Sequence, residues 1–170
     1  APRTAKWYVP RSNVGNTGAD YYFAENPTFG AEFTVHMKDE YKSLKAKRQD
    51  AEKKLGANNN VPFPGWDALD AEASESDAKL LLHIKDAEGN FIRTITEKPK
   101  KGSQRIAWDL RHNNPYPVSN GRGGRRSGGP MATPGTYTAH LSLEKDGVIT
   151  PLDSPVSFEV KPIREGVLKG

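Results

Sequence analysis

Met131-Ala-Thr-Pro-Gly-Thr-Tyr-Thr-Ala-His-Leu-Ser-Leu143 is the stretch that decides the fold. Tyr137, Ala139, Leu141 and Leu143 alternate with Thr136, Thr138, His140 and Ser142, which is the period-2 pattern of a half-buried strand. Pro134-Gly135 stands just ahead of it: proline presets one turn dihedral and glycine accepts positive φ, so a chain reversal is expected there. In many two-sheet domains a tyrosine at this place, two residues past the turn, returns its hydroxyl to the backbone of the corner. The stretch predicts a β-sandwich strand entered from a tight corner.

Working outward, the same alternation recurs. Ala31–Met37 sets Phe33, Val35 and Met37 against Glu32, Thr34 and His36 and reads as a first strand. Lys79–Lys85 places Leu80, Leu82 and Ile84 on one face. Asp86-Ala-Glu-Gly-Asn90 supplies a turn, and Phe91–Glu97 returns as a hairpin, with Phe91, Arg93 and Ile95 expected on one face and Ile92 on the other. Ser103–Leu110 alternates Ile106, Trp108 and Leu110, and Trp108 has the size expected of a core residue. Lys145-Asp-Gly147 turns the chain into Val148–Leu152, and Ser157–Pro162 closes the series with Phe158 and Val160. Short strands separated by turns favour a sandwich over a parallel βαβ fold.

One region breaks the β pattern. In Lys38–Leu55, Met37, Tyr41, Leu44, Ala51 and Leu55 share a helical stripe interrupted by Arg48, opposite Lys42, Lys45, Lys47, Gln49, Glu52 and Lys53. Val61-Pro-Phe-Pro-Gly-Trp66 forbids a regular element at first, after which Trp66 and Leu69 anchor a short helix around Asp67–Glu72. Lys38–Glu75 therefore reads as a helical hairpin inserted after the first strand. The chain divides into an extended aromatic arm at Ala1–Gly30, a sandwich at Ala31–Pro162 carrying that insertion, and a tail at Ile163–Gly170.

Composition narrows the function classes. The chain has 170 residues, 35% of them hydrophobic, and a formal charge of +4 that does not demand a polyanionic partner. It has no cysteine, which excludes disulfides, thiolate metal sites and cysteine nucleophiles. No apolar run approaches the roughly 20 residues that span a bilayer. The chain opens at Ala1 with no signal peptide visible and is read as a mature or excised fragment.

No catalytic grouping stands out. Ser12, Ser43, Ser103 and Ser157 lie outside any Gly-x-Ser-x-Gly elbow. Asp109 and Arg111 flank Leu110 and are expected to anchor a strand end. Asp67, Asp70 and Glu72 sit on another segment, and no spacing joins them to Asp109 as a glycosidase pair. His36, His83 and His140 are expected on outward faces, where two histidines on neighbouring strands need a facing carboxylate to complete a metal site. Neither a cofactor nor a metal is expected. Gly121-Arg-Gly-Gly-Arg-Arg-Ser-Gly-Gly129 is one short arginine–glycine copy with no interleaved aromatic, so it reads as a flexible loop and nucleic acid is not an expected partner. The candidate binding surface is made of Trp7, Tyr8, Tyr22, Trp66 and Tyr116 with Arg122, Arg125 and Arg126.

Four motifs occur in order: Asp86-Ala-Glu-Gly-Asn-Phe-Ile-Arg-Thr-Ile95, Gly102-Ser-Gln-Arg-Ile-Ala-Trp-Asp-Leu-Arg111, Gly129-Pro-Met-Ala-Thr-Pro-Gly-Thr-Tyr-Thr138 and Val156-Ser-Phe-Glu-Val160. Together they resemble the C-terminal immunoglobulin-like module of bacterial proteins that carry sortilin-like or sialidase-like (BNR-repeat) β-propellers. The core series is also similar to the sandwich domain of the flagellar hook-capping protein. Asn26-Pro-Thr-Phe-Gly-Ala31, the Lys/Glu-rich helix and the Pro-Gly-Trp segment extend the likeness, which covers most of Trp7–Pro162. The propeller's own Ser-x-Asp-x-Gly-x-x-Trp box is not in this chain, so the resemblance implies a fold and a neighbourhood rather than a reaction. It implies a mostly-β, immunoglobulin/fibronectin-III-like β-sandwich of about seven strands with an inserted helical hairpin. It further implies a non-catalytic accessory module, secreted, periplasmic or at the cell surface, whose partner is the adjacent β-propeller of the parent chain. A carbohydrate-binding module of a glycoside hydrolase-like protein is the alternative, with carbohydrate as the partner.

Overall fold

The computed structural model describes residues 3–8, 28–55, 61–115 and 129–163. Among these residues the chain is mostly β, with two helices. Its strands are β1 (Ala5–Trp7), β2 (Ala31–Met37), β3 (Lys79–Asp86), β4 (Phe91–Glu97), β5 (Gly102–Trp108), β6 (Gly135–Lys145), β7 (Val148–Pro151) and β8 (Val156–Pro162). The helices α1 (Leu44–Leu55) and α2 (Trp66–Ser74) follow one another between β2 and β3. The larger sheet runs β1-β8-β6-β3-β4, with β7 also paired to β6, and β2 and β5 form a separate antiparallel pair.

The deciding stretch becomes β6, the strand on which β3, β7 and β8 all pair. Tyr137 and Ala139 are buried as the alternation requires. The corner works differently from the expectation. Gly135 is not among the glycines at positive φ; it opens β6 opposite Val160. The Tyr137 hydroxyl closes the corner, donating to the Thr133 carbonyl at 2.6 Å. Left-handed glycine is used in the hairpin beyond, where Asp146 (φ 50°) and Gly147 (φ 76°) link β6 to β7. Two successive positive φ values are what a tight two-residue hairpin needs.

The two sheets meet through one core. Phe33 of β2 meets Phe158 of β8 edge-to-face at 5.1 Å. Trp108 of β5 meets Tyr137 of β6 at 5.1 Å and Phe158 at 6.0 Å. Trp108 is fully buried, and its indole N–H donates to the Arg111 carbonyl at 2.9 Å, so the ring is packed without an orphaned donor. Gly30, at φ 108°, lies so close to this ring's backbone that a Cβ would fall 1.9 Å from the Trp108 carbonyl oxygen. Leu110 and Ala132 seal the end of the core, joined by a 2.7 Å bond from the Ala132 N–H to the Leu110 carbonyl.

Two expectations change in β4 and at the first residues. Ile92 is buried while Phe91 is 51% exposed. The register against β3 slips between Ile84 and Lys85, pairing Ile84 with Arg93 and Lys85 with Phe91. Ile92 is thus the extra residue of a β-bulge, and a bulge turns a side chain to the opposite face from simple alternation. Within the stretch read as an arm, Ala5–Trp7 forms β1, parallel to β8. Its Ala5 is buried, and the Trp7 ring lies against the core with its N–H donating to the Ala132 carbonyl at 2.7 Å.

The helical insertion starts later than its stripe suggests. Met37 ends β2 in the core, Tyr41 packs against the core from an irregular segment, and α1 begins at Leu44. The Ser43 side-chain oxygen accepts the Ala46 N–H at 3.1 Å, an N-cap that sets this start. No residue of α1 or α2 is buried. Arg48, the residue that interrupts the stripe, is instead the clasp between the helices. Its guanidinium donates to both Glu72 carboxylate oxygens, at 2.6 and 3.0 Å, and to Glu52 at 2.6 Å.

Candidate functional site

An open groove of about 1370 Å³ runs along β2. Every residue from Glu32 to Asp39 lines it, so it follows the edge of that strand rather than one face. Among the described residues β2 pairs only with β5, on its other side. Leu82, Ala139 and Leu141 of the larger sheet line the groove, as do Asp153 and Ser154 from the β7–β8 connection. Lys6, Lys38 and Arg105 bring positive charge to it, and Glu32 and Asp39 negative charge. Arg105 and Glu32 pair at 3.5 Å with both side chains well exposed, an interaction worth little in water.

Of the sequence-derived surface the structure describes Trp7, Tyr8 and Trp66, and of these three Tyr8 alone lines the groove. Tyr8 lies in the groove lining, 37% exposed, with its ring edge-on to Phe29 at 4.9 Å. Trp7 is half-buried by the core contact described above. Trp66 is 74% exposed at the start of α2, and its ring meets Phe63 at 5.3 Å and an angle of 67°. Trp66 is not a groove residue. Tyr22, Tyr116, Arg122, Arg125 and Arg126 lie outside the described residues.

The polar candidates are engaged in ways that hold the fold together. Asp109 accepts two hydrogen bonds from Arg93 Nη1, at 2.8 and 3.1 Å, and one from the Arg111 N–H at 3.2 Å. Arg111 in turn donates to the Gly129 carbonyl at 3.1 Å, so the pair ties a strand end to the residues returning toward β6. Glu72 is held below the usual carboxylate range by the Arg48 hydrogen bonds and therefore stays ionised. A general acid near neutral pH needs the opposite shift.

His83 and His140 are direct cross-strand partners on β3 and β6, both half-buried. The His83 Nδ1 is 2.8 Å from the Thr94 Oγ1. Burial first, then the neighbouring His140 and Lys85, push the His83 pKa below its ordinary 6.5. His36 stands apart on β2, 3.2 Å from the Ser103 hydroxyl. Among the described residues no three histidine, aspartate or glutamate side chains are grouped to hold a metal ion. No helix among them is long and apolar enough to cross a membrane.

Sequence reasoning missed the groove. It is built by where two sheets part company, and alternation within a strand carries no trace of that. Only the incomplete burial of Val35 and Leu141, on otherwise buried faces, marks its course. Comparison with known protein families, with curated proteins and with solved structures finds no match.

Proposed function

We propose that this chain is an immunoglobulin-like β-sandwich acting as a non-catalytic accessory module of an exported, propeller-bearing protein. On this reading the β2–β5 pair and the larger sheet are the two leaves of the sandwich, and α1 and α2 are an insertion between strands. The observation that carries the reading is the corner: the Tyr137 hydroxyl bonded to Thr133, beside a buried Trp108 in the opposite leaf. That combination of corner tyrosine and core tryptophan characterises such sandwiches. The module works by surface complementarity, with the groove along β2 offering a strand edge that is unpaired among the described residues, next to apolar side chains. Such an edge suits packing against a neighbouring domain of the same polypeptide.

Carbohydrate binding is the weaker alternative. Sugar stacking favours flat aromatic faces set side by side, and the one strongly exposed tryptophan, Trp66, meets its neighbour Phe63 at a steep angle.

The test is to express the upstream coding sequence as a separate polypeptide, mix it with this chain and follow amide exchange. The reading expects a propeller upstream and slowed exchange at Glu32–Asp39 in the mixture. An upstream sequence without a propeller, or exchange unchanged by mixing, sinks it. A glycan that slows exchange around Trp66 in the isolated chain would move the assignment to carbohydrate binding.

A further inference from the structure

The larger sheet carries two imidazoles on neighbouring strands. His83 of β3 and His140 of β6 are direct cross-strand partners, and each is half-buried. Leu82 and Ile84, which flank His83, belong to the core, as does Ala139 next to His140. Alternation therefore turns both histidines to the face away from the core. Two imidazole nitrogens bound to one tetrahedral ion at about 2.0–2.1 Å lie roughly 3.3 Å apart, a separation open to rings whose Cβ atoms stand about 5 Å apart across an antiparallel pair.

His83 is already oriented for such a role. Its Nδ1 is 2.8 Å from the Thr94 Oγ1 of β4. When Nδ1 donates to that oxygen, Nε2 carries the free lone pair, and a hydrogen bond on the far nitrogen is what fixes the ring of a metal-bound histidine. Burial, then His140, then Lys85 disfavour the charged imidazolium of His83. The ring is thus neutral at neutral pH, in the form that takes a metal without first losing a proton. The influence of His140, ahead of that of Lys85, also puts the two rings within electrostatic range of each other.

The surroundings select the ion. Among the described residues, the positions beside and diagonal to the pair hold Thr94, Thr138, Lys85, Leu81 and Ser142. None is a carboxylate, so hard cations such as Ca2+ and Mg2+, which need an oxygen cage or a carboxylate anchor, are poorly served there. Ions of the zinc class accept neutral imidazole, and water fills the positions that two histidines leave open. The chain has no cysteine, so no thiolate competes for the ion. Its other two histidines, His36 on β2 and His112 beyond β5, serve as internal references.

We propose that His83 and His140 form an open two-histidine site for a divalent transition-metal ion of the zinc class, on the face of the larger sheet turned away from the core. The site is independent of the accessory-module reading, because it uses neither the groove along β2 nor a neighbouring domain.

The experiment titrates Zn2+ into the 15N-labelled whole chain and follows the imidazole nitrogens by NMR, with Mg2+ as the comparison ion. The His83 and His140 resonances are expected to shift together and to saturate at one ion per chain, while His36 and His112 stay in place and Mg2+ moves none of them. His83→Gln and His140→Gln should each weaken binding by at least about ten-fold, and Thr94→Val, which frees the His83 ring, by about ten-fold. Zn2+ binding that fails to saturate below about 1 mM overturns the proposal. So does a shift confined to one of the two histidines, or an affinity that His140→Gln leaves unchanged. The wild-type shifts are read without any substitution, so they decide the matter even where a variant fails to fold.

Discussion

Removing one oxygen from Tyr137 tests the corner that underlies the fold assignment. Tyr137→Phe deletes the hydroxyl that donates to the Thr133 carbonyl at 2.6 Å and leaves the ring contacts with Trp108 and Phe158 in place. Tyr137 is 4% exposed, so in the folded state its hydroxyl has exchanged water for this single acceptor. Thr133 itself is exposed, so its carbonyl can regain water when the partner is lost. The loss should therefore be near the net value of one hydrogen bond, about 1 kcal/mol, rather than the larger cost of a buried unsatisfied group. With a urea slope of roughly 2 kcal/mol per molar, the midpoint should fall by about 0.5 M at an unchanged slope. In parallel, amide exchange should quicken at Thr133–Thr136 ahead of the rest of β6. A midpoint within about 0.1 M of the wild type would show that the hydroxyl contributes nothing to the corner, and the argument from it would fail.

Further outcomes follow from other contacts. Gly30→Ala places a Cβ 1.9 Å from the Trp108 carbonyl at φ 108°, so β2 must shift; thermal unfolding should show a loss of several degrees or an insoluble product, and a wild-type melt would contradict the close approach. His83 has a folded-state pKa below its ordinary 6.5, so between those two values the unfolded chain holds the extra proton. Its contribution is complete above pH 6.5 and is lost as pH falls through the folded value. His83→Gln should flatten that part of the urea-midpoint profile, and a profile of unchanged slope would refute the assignment. His140, Lys85 and Thr94 flank the ring, and Thr94→Val should move the His83 titration measured by NMR. Arg48→Met removes the clasp between α1 and α2; amide exchange should accelerate across Leu44–Leu55 and Trp66–Ser74 while β3 and β6 keep their protection.

Strand bounds are legible in the sequence where apolar and polar side chains alternate. Ala31–Met37 and Phe91–Glu97 have the bounds their patterns set, and Leu80, Leu82 and Ile84 share the core face. Alternation fails where tertiary placement adds something that the local pattern does not carry. β3 lies between β4 and β6, and there Leu81 on the opposite face is also only 6% exposed. In β4 a bulge sends Ile92 inward, and nothing in Phe-Ile-Arg marks which residue is the extra one. At three residues β1 is too short to display a period, and it is held by pairing with a strand more than 150 positions away. The helical stripe from Met37 to Leu55 mixed residues with two separate reasons to be apolar. Met37 and Tyr41 belong to the core, whereas Leu44 and Leu55 stand exposed on a helix that contributes nothing to it.

The candidate site was less legible, because its parts are defined by what surrounds them. Trp7, Tyr8 and Trp66 look alike in the sequence, as aromatics beside polar residues. One caps the core through its indole N–H, one lies at the groove against Phe29, and one projects from a helix end. The difference lies in the backbone each ring meets. Trp7 finds the Ala132 carbonyl because β1 pairs alongside β8 and leaves the ring over the end of the core. Trp66 finds no such cover because its helix is tied to its neighbour by Arg48 and Glu72 rather than laid on a sheet. An ion pair orients one helix against another without requiring either to bury its apolar residues, so it can hold an exposed tryptophan in place. Phe63 and Trp66 are therefore displayed by the same polar clasp that made this region look like a solvated, charged insertion.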